Sequence, residues 1–281
     1  MSRERRSFPL PFAKMQGTGN DFVLLDGIKN NLDDLDLTAT AKKLCDRRFG
    51  IGADQLLILL PSQKADFRML IFNADGSQVQ MCGNGIRCLA KYIWDGGLSG
   101  KETLEIETLA GIIKPMRKDG QVRVDMGVPQ LEGRKIPVDL DGRVIDYPLK
   151  VEDAVFPVTC VSMGNPHAVI FIEGVDGFPL AHYGPLIENN PLFPERTNVE
   201  FVEVLGPREI KMRVWERGSG ETLACGTGAS ASGVASALKG LTERSVKVRL
   251  RGGGLDIDWA GDGHLYMTGP AEEVFRGEIL I

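Results

Sequence analysis

Apolar and polar residues alternate in the same rhythm in both halves of the chain. Leu104-Glu-Ile-Glu-Thr108 and Val122-Arg-Val-Asp-Met126 lie either side of Lys118-Asp-Gly120 in the first half. In the second, Val246-Lys-Val-Arg-Leu250, Leu255-Asp-Ile-Asp-Trp259 and His264-Leu-Tyr-Met267 are separated by turns at Gly252–Gly254 and Gly261–Gly263. A period of two between glycine turns predicts antiparallel strands with one solvated face. A helical period also occurs twice. Ile86, Leu89, Ala90, Ile93 and Trp94 predict a helix that Gly96-Gly97 ends. Val234, Ala237, Leu238 and Leu241 keep that spacing in a segment otherwise mostly Ala, Ser and Gly, which predicts a helix approached closely on all sides. Asp36 ahead of Leu37, Ala41, Leu44 and Cys45 predicts one more helix, stopped by Gly50.

The matching patterns extend to an internal repeat. Cys82-Gly-Asn-Gly85 falls on Cys225-Gly-Thr-Gly228, 143 residues later, and Asp119-Gly120 falls on Asp262-Gly263 at the same shift. Gly111 meets Gly253 and Gly127 meets Gly269. Met15-Gln-Gly-Thr-Gly-Asn20 precedes the strand-like Phe22–Leu25, as Met163-Gly-Asn-Pro-His167 precedes Ala168–Phe171. An ordered series at nearly one shift means duplication. The expected fold is α+β: two pseudo-symmetric domains, each a mostly antiparallel, barrel-like sheet around a central helix, with a cleft between them. The expected boundaries are residues 1–132 and 133–271, joined by a linker in the Gly-, Pro-, Asp- and Arg-rich segment 133–146.

Composition narrows the class. A chain of 281 residues, 43% hydrophobic and 25% charged, has ample core and is not disordered. A net charge of −5 gives no electrostatic case for nucleic acid. Met1-Ser-Arg-Glu-Arg-Arg6 is basic, but no apolar run follows it as in a signal peptide. The longest aliphatic runs, such as Leu56–Leu60, are too short to cross a bilayer. Five cysteines, scattered singly at 45, 82, 88, 160 and 225, form neither a disulfide framework nor a metal spacing, and they suit a reducing cytoplasm.

Two of those cysteines change the picture. A lone Cys before Gly-x-Gly reads as a small buried residue; a duplicated pair, each at a helix start, reads as chemistry. A helix N-terminus offers unpaired N–H groups and the positive end of the macrodipole, which lowers a thiol's pKa and binds an anion. Cys82 and Cys225 on opposite walls of a cleft suit inversion of a carbon by two-base proton transfer. One thiolate removes an α-proton, the other thiol returns one to the opposite face, and the helix starts stabilise the enediolate between. No metal and no cofactor is called for. Cys45, Cys88 and Cys160 lack a glycine neighbourhood and a repeat mate, which favours core packing. Nine residues before each candidate lies another mate pair, Asn73 and Glu216, and Gln55 and Asn198 form a third. With Asn20, Asn165 and Arg217 they describe a pocket for a zwitterion, because Arg suits a carboxylate and Glu or Asn an ammonium. Singly, each Asn also reads as a turn residue.

These residues carry a resemblance to diaminopimelate epimerase, a pyridoxal-phosphate-independent amino-acid epimerase. It runs from Gly17-Thr-Gly-Asn-Asp-Phe22 through Gly52-Ala-Asp-Gln55, Phe72-Asn-Ala-Asp-Gly76, Met81-Cys-Gly-Asn-Gly85 and Met163-Gly-Asn-Pro-His167 to Trp215-Glu-Arg-Gly218 and Ala224-Cys-Gly-Thr-Gly228. The resemblance implies that Cys82 and Cys225 are the acid/base pair acting on LL- and meso-diaminopimelate. It implies that Gly83, Asn84, Gly226 and Thr227 hold the reacting carboxylate. Asn20, Asn73, Asn165, Asn198, Glu216 and Arg217 would hold chiefly the distal end, with Gln55 and His167 in the surroundings. It further implies that the last strand, 272–281, completes the first domain, and that the protein is a cytoplasmic homodimer in lysine and peptidoglycan precursor synthesis. The departures are Gln16-Gly-Thr-Gly19, where the family commonly carries His-Gly-Leu-Gly, and about ten extra N-terminal residues. Proline racemase and hydroxyproline epimerase share the paired cysteines, but their ring substrates have no use for a Glu-Arg and multi-Asn pocket. Phenazine-biosynthesis isomerases share the fold and lack the thiols. A non-catalytic amino-acid-binding protein is the rival from another class.

Overall fold

The two glycine-opened helices each sit inside a sheet of their own. The computed structural model describes residues 8–280; the basic segment Met1–Arg6 lies outside them. The chain divides into two compact units, one running to Val122 and resuming at Pro270, the other spanning Arg123–Gly269.

The first unit contains β1 (Pro9–Gly17), β2 (Asn20–Asp26), α1 (Leu37–Cys45), β3 (Gln55–Leu60) and β4 (Phe67–Asn73). It continues with β5 (Gln78–Val79), α2 (Gly83–Asp95), β6 (Ile106–Thr108), β7 (Gly111–Ile113) and β8 (Met116–Lys118). Passage to the second unit occurs within β9 (Gln121–Asp125). That unit holds β10 (Tyr147–Val151), β11 (Ala154–Ser162), β12 (Pro166–Phe171), α3 (Leu180–Glu188), β13 (Asn198–Gly206) and β14 (Glu209–Glu216). Then follow β15 (Gly220–Thr222), α4 (Gly226–Leu238), β16 (Ser245–Leu250), β17 (Gly253–Trp259) and β18 (Leu265–Gly269). The last strand, β19 (Glu272–Leu280), lies antiparallel along β1 in the first unit.

The sheets repeat one topology. The first runs β19-β1-β2-β3-β4-β6-β7 and the second β10-β11-β12-β13-β14-β16-β17-β18-β9. Each is mostly antiparallel and interrupted at the same two places: β2/β3 and β4/β6 run parallel in one, β12/β13 and β14/β16 in the other. The repeat in sequence is a repeat in hydrogen bonding.

Burial follows from the helix faces. Ile86, Leu89 and Ile93 are fully buried, but so is Arg87, and α2 is enclosed on every side instead of on one stripe. Arg87 gives hydrogen bonds to the carbonyls of Gly83 and Pro270 and to the Thr18 hydroxyl, which ties the returning chain to α2. In the second unit α4 touches strands from β11 round to β18, and its Ala, Ser and Gly permit that approach. Gly233 shows how close it is, since a Cβ there would stand 2.8 Å from Ile257.

The structure departs from the sequence reading in several places. Helix α1 stops at Cys45, short of Gly50, because Asp46 accepts the N–H groups of Arg48 and Phe49 and turns the chain. Segment 133–146 is no free linker: Ile136, Val138 and Val144 are buried in the second unit's core. Helix α3 has no counterpart in the periodicity, because Gly184 and Pro185 interrupt its pattern. Its glycine is required by packing, as a Cβ at Gly184 would lie 2.6 Å from the Trp215 ring.

Candidate active site

Each candidate cysteine is the N-cap of its helix. Cys82 (φ −140°, ψ 119°) precedes α2, and its Sγ accepts the Gly85 N–H at 3.4 Å. Cys225 (φ −125°, ψ 114°) precedes α4, and its Sγ accepts the Gly228 N–H at 3.4 Å. The sulfurs thus occupy the place of a capping oxygen. The first-turn N–H groups of Gly83, Asn84, Gly226 and Thr227 are those a helix leaves without an internal partner, the usual receptor for an anion.

In the first unit Asn20 opens β2 with its Oδ1 3.7 Å from the Cys82 sulfur, and it accepts Asn84 Nδ2 at 3.2 Å. Asn20 Nδ2 donates to Asp54 at 2.8 Å, and Arg47 bridges Asp54 and Asp21 at 2.7 Å each. Lys14 closes the network on Asp21 at 2.5 Å; with Arg47 it holds that carboxyl down at about 2 against the opposing cost of burial, the largest single influence. Gln55 and Asn73 are paired across β3 and β4, Nε2 to Oδ1 at 2.9 Å. The sequence pattern singles out none of Lys14, Asp21, Arg47 and Asp54; the readable signal is their crowding around Gly17–Asn20 and Gly50–Gln55.

In the second unit Cys225 lies 3.4 Å from the Thr227 hydroxyl, which accepts Asn165 Nδ2 at 3.4 Å. Asn165 Oδ1 lies 3.0 Å from His167 Nε2, and His167 Nδ1 lies 2.7 Å from Glu200. His167 and Glu200 are both fully buried. Sequence reasoning misses Glu200, although a charge inside the apolar run Val199–Val202 is the available clue. Asn198 spends both ends of its amide on the protein, giving a hydrogen bond to the Pro166 carbonyl at 2.8 Å and accepting the Arg217 N–H at 2.9 Å. The Arg217 guanidinium bonds to the Glu195 carbonyl. Glu216 accepts the Thr222 hydroxyl.

Electrostatics overturns one expectation. The Cys225 thiol is held well above its ordinary value by burial first, then by Glu216 and Glu200, against the opposing hydrogen bonds of Thr227 and Gly228. A helix terminus contributes roughly 0.3–1 kcal/mol, whereas full burial shifts a group by as much as about 3–5 pKa units. Burial wins, and the Cys225 thiol is shifted up where the helix start alone would shift it down. Burial also raises the Glu216 carboxyl, with Thr222 and Cys225 pulling the other way. Cys45 and Cys88 are pushed up to about 11 and about 12 by burial, and Cys160 is raised for the same reason. Removing the carboxylate charge in Glu216→Gln is expected to lower the Cys225 thiol and speed its alkylation by iodoacetamide at pH 8 roughly threefold or more. Peptide-resolved mass spectrometry measures this; an unchanged or slower rate contradicts the assignment of Glu216 as a cause.

A family model described as diaminopimelate epimerase matches residues 12–132 and 159–274. A diaminopimelate epimerase of Carboxydothermus hydrogenoformans is 55% identical over 274 residues, covering 97% of this chain and 100% of its own. One from Moorella thermoacetica is 54% identical over 274 residues, covering 95% and 98%. Among solved structures, a phenazine biosynthesis protein of the PhzF family from Enterococcus faecalis superposes with a TM-score of 0.73 at 13% identity, over 98% of this chain and 100% of that one. That likeness speaks for the fold alone. Matches of this length and identity leave one assignment: the chain belongs to the diaminopimelate epimerase family.

Proposed function

We propose that this chain carries out its family's reaction, the epimerisation of diaminopimelate, by two-base proton transfer between Cys82 and Cys225. The observation that carries the reading is the pair of twin N-caps, each a cysteine whose sulfur accepts an N–H of its own glycine loop at 3.4 Å. In the forward step one thiolate takes the α-proton and becomes a thiol. The electron pair moves into the α-carboxylate as an enediolate. The opposite S–H then delivers its proton to the other face and is left as thiolate, so the two sulfurs finish with their roles exchanged. The α-proton is weakly acidic, and the first-turn N–H groups of α2 and α4 would bear the developing charge on the oxygens. Glu216, Arg217 and the asparagines would hold the distal, unreacting amino-acid end, and His167 would support the second thiol.

By family likeness the enzyme is further read as a cytoplasmic homodimer that converts the LL isomer to the meso isomer for lysine and peptidoglycan precursors. No helix among the described residues is long and apolar enough to cross a membrane. Incubation of the reduced full chain with LL- or meso-diaminopimelate in deuterium oxide, without added cofactor, tests the mechanism. The expected result is exchange of the α-proton together with interconversion. Absence of exchange from either isomer in folded, reduced protein would overturn the reading, and equal turnover of proline would favour a ring-substrate racemase instead.

A further inference from the structure

Two hydrogen-bond chains in the first unit each begin at a carboxylate and end at a buried oxygen with nothing to accept. In one, Asp54 Oδ2 accepts Asn20 Nδ2 at 2.8 Å, and Asn20 Oδ1 accepts Asn84 Nδ2 at 3.2 Å. Asn84 Oδ1 is left without a partner. In the other, Asp75 accepts the Ser77 hydroxyl at 2.5 Å, Ser77 Oγ accepts Asn73 Nδ2 at 3.0 Å, and Asn73 Oδ1 accepts Gln55 Nε2 at 2.9 Å. Gln55 Oε1 is the unpartnered end. Three buried side-chain oxygens among the described residues lack a hydrogen-bond partner, and two of them are these chain ends.

The carboxylates decide the direction of both chains. An ionised carboxylate accepts and cannot donate, so each amide must turn its nitrogen toward the aspartate and its oxygen away. Both anchors are firmly held. Arg47 Nη2 at 2.7 Å and the Asp21 N–H at 3.2 Å fix Asp54. Asp75 takes the Ser77 N–H at 2.8 Å as well as its hydroxyl, and these bonds hold its carboxyl below the usual range. Buried acceptors left open are rare in folded proteins because each forfeits its hydration. Two of them, both on candidate residues of the first unit, mark a place that suits a donor.

We propose that Asp54 and Asp75 are positioning residues that fix the acceptor polarity of these first-unit amides, so that the side-chain oxygens of Asn84 and Gln55 receive an ammonium N–H of the ligand, while the main-chain N–H of Asn84 stays with the reacting carboxylate. The inference rests on diaminopimelate being the ligand. The two aspartates touch no substrate; they act through Asn20, Asn73 and Ser77. Replacing either anchor by a residue that can also donate frees the chain to reverse, and a reversed chain presents an NH2 where an oxygen stood.

Calorimetric titration with meso-diaminopimelate and with pimelate, which has both carboxylates and neither amino group, tests the proposal apart from turnover. Wild-type protein is expected to prefer diaminopimelate strongly. In Asp54→Asn, Asp75→Asn and Ser77→Ala the preference should fall about tenfold. Ser77→Thr keeps the hydroxyl and should restore it. In turnover the same variants should raise KM more than they lower kcat. Asp75 and Ser77 are exposed, so these variants keep the test valid even where Asp54→Asn fails to fold. Unchanged discrimination in folded Asp75→Asn and Ser77→Ala overturns the proposal, as does wild-type protein that binds pimelate equally well. Wild-type protein that binds diaminopimelate selectively without exchanging its α-proton refutes the two-thiol mechanism alone and leaves this inference standing.

Discussion

Serine in place of either candidate cysteine should leave the protein folded and slow epimerisation by about a thousandfold or more. The two halves of that expectation have separate physical causes. As an N-cap, the serine oxygen can take the same N–H of Gly85 or Gly228 that the sulfur now accepts at 3.4 Å. Serine is among the preferred caps, so stability should change by no more than about 1 kcal/mol. As a base, a hydroxyl ionises far less readily than a thiol with an ordinary value near 8.5, and the proton-transfer step loses its partner. Because the two sulfurs act in one sequence, the Cys82→Ser/Cys225→Ser double variant should be little worse than either single one. Steady-state turnover with each isomer, beside a thermal melt, measures all three. A single variant with near-normal turnover removes that cysteine from the mechanism; Cys88→Ser, in a core position, is the control expected to retain activity.

Much of this site is readable because duplication printed it twice. The alternating strands, the helix starts and the paired glycine loops each have a mate at nearly one shift, and a repeated pattern restricts the fold more than a single one can. The family motifs carry the individual residues, down to Glu216 and Arg217. What stays hidden are the groups behind them. Glu200 lies under His167 only because β12 and β13 run parallel, a pairing that local periodicity does not announce. Asp54 meets Asn20 across a gap of 34 residues, and Asp75 meets Asn73 through a serine hydroxyl. The helix start at Cys225 is legible, but the direction of its thiol shift is not. The dipole and the close packing of α4 are both legible, but not that burial outweighs the dipole at Cys225. Helix α3 escapes because Gly184 reads as a breaker until the Trp215 ring lies against it.

Gly50→Ala should destabilise the first unit by about 3–5 kcal/mol and lower the melting temperature by on the order of 10 °C. The sequence offers Gly50 as the stop of a helix, yet α1 has already ended at Cys45. The glycine is needed because the chain doubles back onto the helix's last carbonyls. A Cβ at Gly50 would overlap the Lys43 carbonyl and stand 2.8 Å from that of Leu44 and 2.9 Å from that of Asp46, all of them backbone atoms. No side-chain rotation relieves such a contact, so the segment itself must lift. Lifting it strains the N–H bonds from Gly50 to Asp46, from Ile51 and Gly52 to Leu44, and from Ala53 to Cys45. The next two residues are Asp54 and Gln55, one an anchor of the Asn20 amide and the other the end of the Asn73 chain. Loss of stability should therefore come with a raised KM for diaminopimelate, whereas a purely remote defect would lower the melting temperature and leave KM alone. Gly100→Ala supplies the comparison: Gly100 is exposed, a methyl there would meet nothing within 4 Å, and the change should cost less than about 0.5 kcal/mol. Equal melting temperatures for the two variants would show that the turn after α1 yields easily, and would remove the rigid support on which the orientation of Asp54 depends.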